Sequence, residues 1–159
     1  MCDTGPLLHL SEAGAIHLLQ QVGQVITPAV VATEFEQNTQ GWHPPQWILV
    51  RDLDKTAQSR VSGWVKANQI DAGEAEAIAL VLQTKADWLL TDDAQARQFA
   101  EKLGVEVHGS IGVLLWNLAA GHITGQEAKQ LLEALEHSSL WISERVLREA
   151  RSAIETLSL

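Results

Sequence analysis

The acidic side chains best suited to chemistry are those that border apolar segments instead of standing among other charges. These residues are Asp3, Glu34, Glu74, Asp92 and Asp93. Carboxylates that converge without a basic partner cannot all stay ionised unless cations neutralise them. Oxygen ligands of this kind select a hard divalent ion, Mg²⁺ or Mn²⁺, over zinc. Such an ion can activate water and stabilise an in-line displacement at a phosphodiester, so the set predicts metal-dependent hydrolysis if the fold gathers these side chains.

Asp3 and Glu34 also have structural explanations. Asp3 stands among apolar and small residues, where an acidic side chain either caps a helix or turn or belongs to a polar site. Glu34 follows Val30 and Val31 by four and three residues, which puts it on or beside the apolar face of a helix. A carboxylate that faces the core is costly unless it is paired or metal-bound. The alternative is that Glu34 flanks the apolar face and reaches solvent.

Glu74 and the Asp92-Asp93 pair leave similar alternatives open. Glu74 can be the third residue of a capping box that Asp71 begins. Asp92 and Asp93 follow a predicted strand and precede a predicted helix, so one of them is expected to cap that helix. The other either points into the crevice at the end of the strand or acts as a second cap.

The elements that must position these acids alternate between short apolar runs and longer helical patterns. Strands are predicted at residues 25–26, 47–50, 88–91 and 105–108, and helices at 10–21, 28–37, 57–67, 72–83, 94–103, 111–120, 125–136 and 144–157. This alternation predicts an α/β fold with a mostly parallel sheet. Such folds bind ligands beyond the carboxyl ends of their strands. Asp3 and the Asp92-Asp93 pair are expected at that edge, under the helices that carry Glu34 and Glu74.

Length and composition limit the class of protein. The 159 residues predict a single domain over 1–159, with residues 123–159 as a C-terminal helical extension. The one cysteine, Cys2, excludes an intramolecular disulfide and a multi-cysteine zinc site. A cytoplasmic protein is expected, because no leader and no long apolar run is present. The net charge of −9 argues against binding nucleic acid by bulk electrostatics, so any such contact must be local and metal-assisted.

The same acidic residues lie in an ordered set of motifs that resembles the PIN-domain family. The motifs are Asp3-Thr4-Gly5-Pro6-Leu7, residues 26–34, residues 71–78, Leu89-Leu90-Thr91-Asp92-Asp93 and residues 108–115. The last motif resembles one branch of the family, usually described as predicted nucleic-acid-binding proteins. The resemblance runs from residue 3 to about residue 122, and the ordered set is specific although each motif alone is weak.

This resemblance implies a three-layer α/β/α sandwich around a mostly parallel sheet, and a site that binds Mg²⁺ or Mn²⁺. The implied metal ligands, which are also the implied catalytic residues, are Asp3, Glu34, Glu74 and Asp92 or Asp93. Thr4 and Ser110 are implied as polar neighbours of the site. Arg97 is a candidate phosphate contact and otherwise an ordinary surface charge.

Many PIN domains are Mg²⁺- or Mn²⁺-dependent ribonucleases, so the resemblance implies hydrolysis of phosphodiester bonds in single-stranded RNA. Bacterial members often serve as toxins that a small antitoxin inhibits. The expected partners are therefore single-stranded RNA, a small antitoxin protein and, as a further candidate, a second copy of the chain. The alternative function is a catalytically inactive PIN-fold module that binds RNA or a partner protein.

Aromatic and histidine residues near the motifs have simpler interpretations. Trp42 and Trp47 flank a loop with two consecutive prolines, and are the candidates for a surface that stacks on bases or contacts a partner. Most of the other tryptophans lie in apolar patterns and are interpreted as core. His9 and His108 are interpreted as supporting or solvated residues.

Overall fold

The computed structural model describes residues 1–39 and 41–158 as helices and parallel strands joined by short loops. In chain order the elements are α1 (Thr4–Glu12), α2 (His17–Gln21), β1 (Val25–Pro28), α3 (Ala29–Asn38), β2 (Ile48–Arg51), α4 (Lys55–Lys66), α5 (Ala72–Thr84), β3 (Trp88–Leu90), α6 (Ala94–Lys102), β4 (Glu106–His108), α7 (Ser110–Ala119), α8 (Gly125–Glu136) and α9 (Glu144–Leu157). In the described part of the chain, no helix has the length and apolar character needed to cross a bilayer.

The N-terminal segment 1–3 joins two parallel strand pairs. Strand β1 pairs with β2, and β3 pairs with β4. Cys2 forms a parallel bridge with Leu90, and its N–H donates to the carbonyl of Ile26 at 2.8 Å. The order across the molecule is therefore β2, β1, segment 1–3, β3, β4. Because all of these run parallel, their carboxyl ends meet at one edge, and Asp3 leaves the central segment at that edge.

Apolar side chains alternate between the two faces of this sheet. Cys2 and Leu90 belong to one core with helices α1, α2, α3, α7, α8 and α9. Met1 and Leu89, one residue earlier in each segment, belong to a second core with α4, α5 and α6. Successive residues of an extended chain point to opposite faces, so helices cover both sides. The predicted α/β fold with parallel strands is confirmed.

The prediction of one helix over residues 10–21 is wrong, because this segment contains the end of α1 and the whole of α2. The first begins at Thr4, whose N–H donates to the Asp3 carboxylate at 2.8 Å. Gly14 follows with a φ of +68°, in the left-handed region that stops a helix, and α2 begins at His17. The other predicted helices and the strands agree with the structure to within two residues at each end.

Helices α8 and α9, in the predicted C-terminal extension, pack against α7 and against each other. Buried residues of both helices, such as Leu132 and Ile154, belong to the same core as α1. The segment between the two helices is thereby held beside the carboxyl edge of the sheet, where Leu140 and Trp141 reach the site described next.

Candidate metal centre

The five acidic residues singled out from the sequence line one cleft at the carboxyl edge of the sheet. These are Asp3, Glu34, Glu74, Asp92 and Asp93. The walls between them include Thr4, His9 and Thr91, and the segment from Ser139 to Trp141 closes one side. Among the described residues that line this cleft there is neither a lysine nor an arginine.

Asp3 is both a helix cap and a member of the acidic cleft. Its Oδ1 accepts the Thr4 N–H at 2.8 Å, and its Oδ2 accepts the Thr91 hydroxyl at 3.1 Å. Only 7% of Asp3 is exposed. Burial raises the pKa of Asp3, the two hydrogen bonds oppose that rise, and the charges of Asp93 and Glu34 add to it. The ionised form of Asp3 therefore gains from any cation that enters the cleft.

Thr91 connects two of the acids, a role that the sequence analysis missed. Its buried hydroxyl donates to Asp3 Oδ2 and accepts the Asp93 N–H at 3.2 Å. The signal in the sequence is a hydroxyl at the end of an apolar strand, directly before two acids. Thr91 fixes the spacing between the segment that carries Asp3 and the loop that carries Asp93.

Glu74 is not part of a capping box, so that interpretation is wrong. Asp71 is the N-cap residue of α5, but its side chain forms no capping hydrogen bond in the structure as described. Glu74 is instead half-buried against the cleft. Burial raises the pKa of Glu74, and the charges of Asp3 and Asp93 raise it further. Burial is the main cause of the raised pKa, and no lysine or arginine lines the cleft to offset it.

Glu34 lies beside the apolar face of α3 and not on it. Val31 and Phe35 are buried in the core, whereas Glu34 is exposed at the rim of the cleft. The expectation of a core-facing carboxylate is therefore wrong, and the alternative that Glu34 reaches solvent holds. Its charge still contributes to the raised pKa of Asp3, which places Glu34 within the electrostatic reach of the buried acid.

The adjacent residues Asp92 and Asp93 have different surroundings. Asp92 Oδ1 accepts the Ser110 N–H at 2.7 Å, and its Oδ2 accepts the Ser110 hydroxyl at 2.6 Å and lies 2.7 Å from His9 Nδ1. Burial opposes ionisation, but the hydrogen bonds from His9 and Ser110 outweigh it and lower the pKa of Asp92. Asp93 is exposed and caps α6, because its Oδ1 accepts the Ala96 N–H at 2.7 Å. One acid is bound into the protein, and the other faces the cleft.

Gly109 allows the close approach of Asp92 to the start of α7. A Cβ at this position would lie 2.7 Å from Asp92 Oδ1 and 3.3 Å from Arg97 Nη2. The first distance is shorter than a side chain tolerates, so any other residue here would displace Asp92 from Ser110. The glycine is thus required by contact rather than by its backbone angle.

Two of the polar candidates lie outside the cleft lining. Ser110 is fully buried and acts on the site through Asp92. Arg97 donates from Nη1 to the carbonyl of Val107 at 3.0 Å and lines a neighbouring groove. The structure therefore brings Thr4 into the cleft but does not bring Arg97 there.

The exposure of the tryptophan side chains differs from the sequence interpretation. Trp42 packs edge-on against Phe35, with 4.5 Å between ring centroids, and Trp47 packs against the same core. Both tryptophans are therefore only partly exposed, and their role as a stacking or partner surface stays a prediction. Trp141, which the sequence analysis passed over, is 85% exposed and lines the cleft. Its signal was a short apolar run, Leu140-Trp141-Ile142, between two helices.

The cleft has the donors for a divalent ion but not a closed set of ligands. Across residues 1–39 and 41–158, no three Asp, Glu, His or Cys side chains are gathered closely enough to hold a metal ion as they stand. The donors are nevertheless all carboxylate oxygens, and the pKa values of Asp3 and Glu74 are raised, mainly by burial and further by the charges of the neighbouring acids. Glu34 and Asp93 are exposed, and Asp93 also caps α6 through its Oδ1. By donor chemistry the residues fit Mg²⁺ or Mn²⁺.

Comparison with protein families matches residues 1–156 to a family described as a PIN domain. The match includes helices α8 and α9 as well as the motifs around the cleft. Neither a curated protein nor a solved structure gave a match. Because the family match spans nearly all of the chain, the chain belongs to the PIN-domain family.

Proposed function

We propose that the protein is a ribonuclease that uses Mg²⁺ or Mn²⁺ to hydrolyse phosphodiester bonds of single-stranded RNA. The observation that carries the proposal is the set of five carboxylates around one cleft whose lining, in the described residues, includes no lysine or arginine, and whose histidine, His9, already contacts Asp92. PIN domains are generally nucleases and typically use divalent metals. The choice of single-stranded RNA rests on the resemblance to ribonucleases of this family.

The proposed ligands are Asp3, Glu74 and Asp93, with Glu34 reaching in from the rim. Asp92 is a weaker candidate, because both of its oxygens already accept hydrogen bonds from Ser110 or contact His9. The bound ion supplies a Lewis acid for the phosphate and an activated water for the attack.

The protein's own contribution is to hold the acids in position. The Thr91 hydroxyl orients Asp3 and holds the backbone of Asp93. Asp92 binds the start of α7 through Ser110 and contacts α1 through His9, so it fixes the walls of the cleft. Hydrogen bonds to an ionised group are stronger than neutral ones, which makes Asp92 a positioning residue.

The charge of the cleft makes substrate binding dependent on the ion. A chain with a net charge of −9 and five acids in its site repels a polyanion. Neutralisation of the cleft removes that repulsion at the scissile phosphate. We therefore propose that RNA affinity rises when Mg²⁺ or Mn²⁺ is present, in contrast to most basic RNA-binding surfaces.

The finer part of the proposal is a toxin role. The negative cleft suits an inhibitor that presents arginine or lysine to it, and a small antitoxin with a basic tail has that chemistry. An inhibitor of this kind would displace the metal or the RNA. What supports this role is the acidic cleft together with the resemblance to toxin ribonucleases.

The proposal is tested by cleavage of a fluorogenic single-stranded RNA in Mg²⁺, in Mn²⁺ and in chelator. We expect the wild type to require the metal, and Asp3→Asn to lose about 100-fold or more in rate while its fold is kept, since asparagine also caps helices. Asp87→Asn is the matched control, because Asp87 is an exposed acid before β3, at the opposite edge of the sheet. Cleavage that survives Asp3→Asn contradicts the proposal. RNA binding without cleavage favours the inactive binding module.

A further inference from the structure

Trp141 is unusually exposed for its size. Its relative exposure is 85%, whereas Val50, Leu103 and Leu157, the other large exposed hydrophobic residues among those described, lie between 37% and 44%. Large aromatic rings are generally buried at least in part, so a ring left in solvent is an informative exception. A binding partner that covers the ring would recover the apolar surface now in water.

The backbone that carries the ring is held in place by the residues around it. Leu140 and Ile142 on either side of it pack against the core. Ser139 donates its N–H and its hydroxyl to Glu12 Oε2 at 2.8 and 2.7 Å, and these bonds lower the pKa of Glu12. The alternation of inward Leu140, outward Trp141 and inward Ile142 presents the indole on a fixed support. A ligand that binds the ring therefore meets a surface whose backbone is already ordered.

Trp141 stands between two grooves. On one side it lines the acidic cleft with Asp3 and Asp93. On the other side it lines a groove with apolar walls that include Ile111 and Val146, and with the guanidinium of Arg97. Within the described residues, Arg97 takes part in none of the ion pairs. A ligand that crosses Trp141 thus contacts the acidic cleft, then the flat indole ring and then the guanidinium of Arg97.

The size of the exposed surface favours a base over a protein. A stable interface between two proteins buries at least about 1,000 Å² in total. Here the exposed hydrophobic residues are scattered, because Val50, Leu103 and Leu157 belong to β2, the end of α6 and the end of α9. A single ring beside a cation matches one nucleotide, which has one planar base and one phosphate.

We propose that Trp141 is the platform on which one base of the substrate stacks, next to the phosphate that is cleaved. The strand then continues into the neighbouring groove, where Arg97 takes the following phosphate. This inference rests on the proposed function, since it assumes that nucleic acid occupies the acidic cleft. Single strands are required, because bases within a duplex are already stacked on each other.

The test measures the affinity of the full-length protein for a short labelled single-stranded RNA by fluorescence anisotropy, with Ca²⁺ in place of the catalytic metal. We expect Trp141→Ala to raise Kd about 5- to 150-fold, the range that stacking of one base gives, and Trp141→Phe to retain most of the affinity. Leu103→Ala is the matched control, because it removes another exposed apolar side chain away from both grooves. Thermal unfolding of each variant checks the fold.

An RNA with one abasic nucleotide identifies what covers the ring. In the wild type, one abasic position should weaken binding by about the same factor as Trp141→Ala, and the two changes together should add little. If Trp141→Ala binds RNA like the wild type, or if the abasic penalty persists in full in this variant, the inference is overturned. Loss of a dimer in Trp141→Ala with unchanged RNA affinity also overturns it and assigns the ring to contacts between copies.

The same experiment separates this inference from the proposed function. If RNA binds with the expected dependence on Trp141 but no metal supports cleavage, the ribonuclease proposal fails and the stacking platform stands. If RNA is cleaved and Trp141→Ala alters neither KM nor Kd, the ribonuclease proposal stands and the platform is overturned.

Discussion

Nδ1 of His9 lies 2.7 Å from Oδ2 of Asp92, and this contact ties helix α1 to the carboxyl end of β3. Ser110 holds the same carboxylate from the start of α7. The carboxylate of Asp92 is thereby occupied by contacts within the protein, whereas Asp93, the next residue, is exposed in the cleft. Two neighbouring acids of identical chemistry thus have different surroundings: Asp92 is bound to two helices, whereas Asp93, which caps α6, is a proposed metal ligand.

The first prediction separates the roles of these two acids. Asp92→Asn should lower the stability by about 1.5–3 kcal/mol, since the charged partner of His9 and Ser110 is lost. Asp93→Asn should leave the melting temperature nearly unchanged, because asparagine also caps a helix, but should reduce metal-dependent cleavage about 100-fold or more. Thermal unfolding and RNA cleavage of the two variants check this. Equal effects of the two substitutions on both measurements would contradict the assignment.

The second prediction concerns Glu74 in the absence of metal. Its pKa in the folded protein is raised above the ordinary value of 4.5, so at neutral pH the ionised side chain lowers the stability. That loss disappears as the pH falls through the folded pKa towards 4.5. In chelator, Glu74→Gln should therefore have a higher melting temperature than the wild type at pH 7. The difference between the two melting temperatures should vanish as the pH approaches 4.5.

Melting curves of both proteins across this pH range provide the measurement, with Glu101→Gln as a control at an exposed acid on α6. Addition of Mn²⁺ should stabilise the wild type more than Glu74→Gln, since the ion binds only the folded protein. A Glu74→Gln variant that melts lower than the wild type at pH 7 in chelator would be evidence against a repulsive cleft.

The third prediction tests Thr91 as a positioning residue. Thr91→Val keeps the shape of the side chain and removes the hydroxyl that Asp3 accepts, which costs about 1–3 kcal/mol for a buried group left without its partner. Loss of that bond should raise the pKa of Asp3 further. The acid limb of the plot of cleavage rate against pH should then move to higher pH. Thr91→Ser keeps the hydroxyl and should have the same pH dependence as the wild type. A Thr91→Val profile that matches the wild type would exclude the role.

The fourth prediction uses two glycines with different surroundings. Gly109→Ala should disturb Asp92, because the new Cβ would lie 2.7 Å from its Oδ1, and should lower both stability and cleavage. Gly63→Ala, within α4, meets no atom within 4 Å and should instead stabilise the helix by up to about 1 kcal/mol. Opposite shifts in melting temperature are expected. A harmless Gly109→Ala would mean that Asp92 has more room than the contact implies.

The fifth prediction concerns inhibition by a basic segment. An arginine-rich peptide should inhibit cleavage, and its inhibition constant should rise with ionic strength as the attraction is screened. The same peptide with citrulline in place of arginine keeps the shape without the charge and should not inhibit. Equal inhibition by both peptides, or inhibition that salt does not change, would argue against a charge-based antitoxin contact at this cleft.

Local signals in the sequence predicted much of this arrangement. Short apolar runs placed β3 and β4, and the Asp93 cap follows from an acid directly before a helical pattern. These features depend on residues within one turn of each other, which is why a sequence reveals them. The edge at which Asp3 and Asp93 meet follows from parallel strands alone, since their carboxyl ends lie together.

The remaining features depend on contacts between distant residues. His9 reaches Asp92 across 83 positions of the chain, and nothing near either residue signals that pairing. Glu74 had the local pattern of a capping box, but its environment is set by Asp3 and Asp93 on other elements. The exposure of Trp141 likewise depends on how α8 and α9 pack, because an apolar triplet in a loop normally indicates burial.

The proposed metal centre is tested most directly by calorimetric titration of the full-length protein with Mn²⁺, in the wild type, Asp3→Asn and Asp87→Asn. We expect the wild type and Asp87→Asn to bind the ion equally, and Asp3→Asn to bind it at least about tenfold more weakly while its melting temperature in chelator does not fall. Equal Mn²⁺ affinity in the wild type and Asp3→Asn would contradict a metal centre in this cleft.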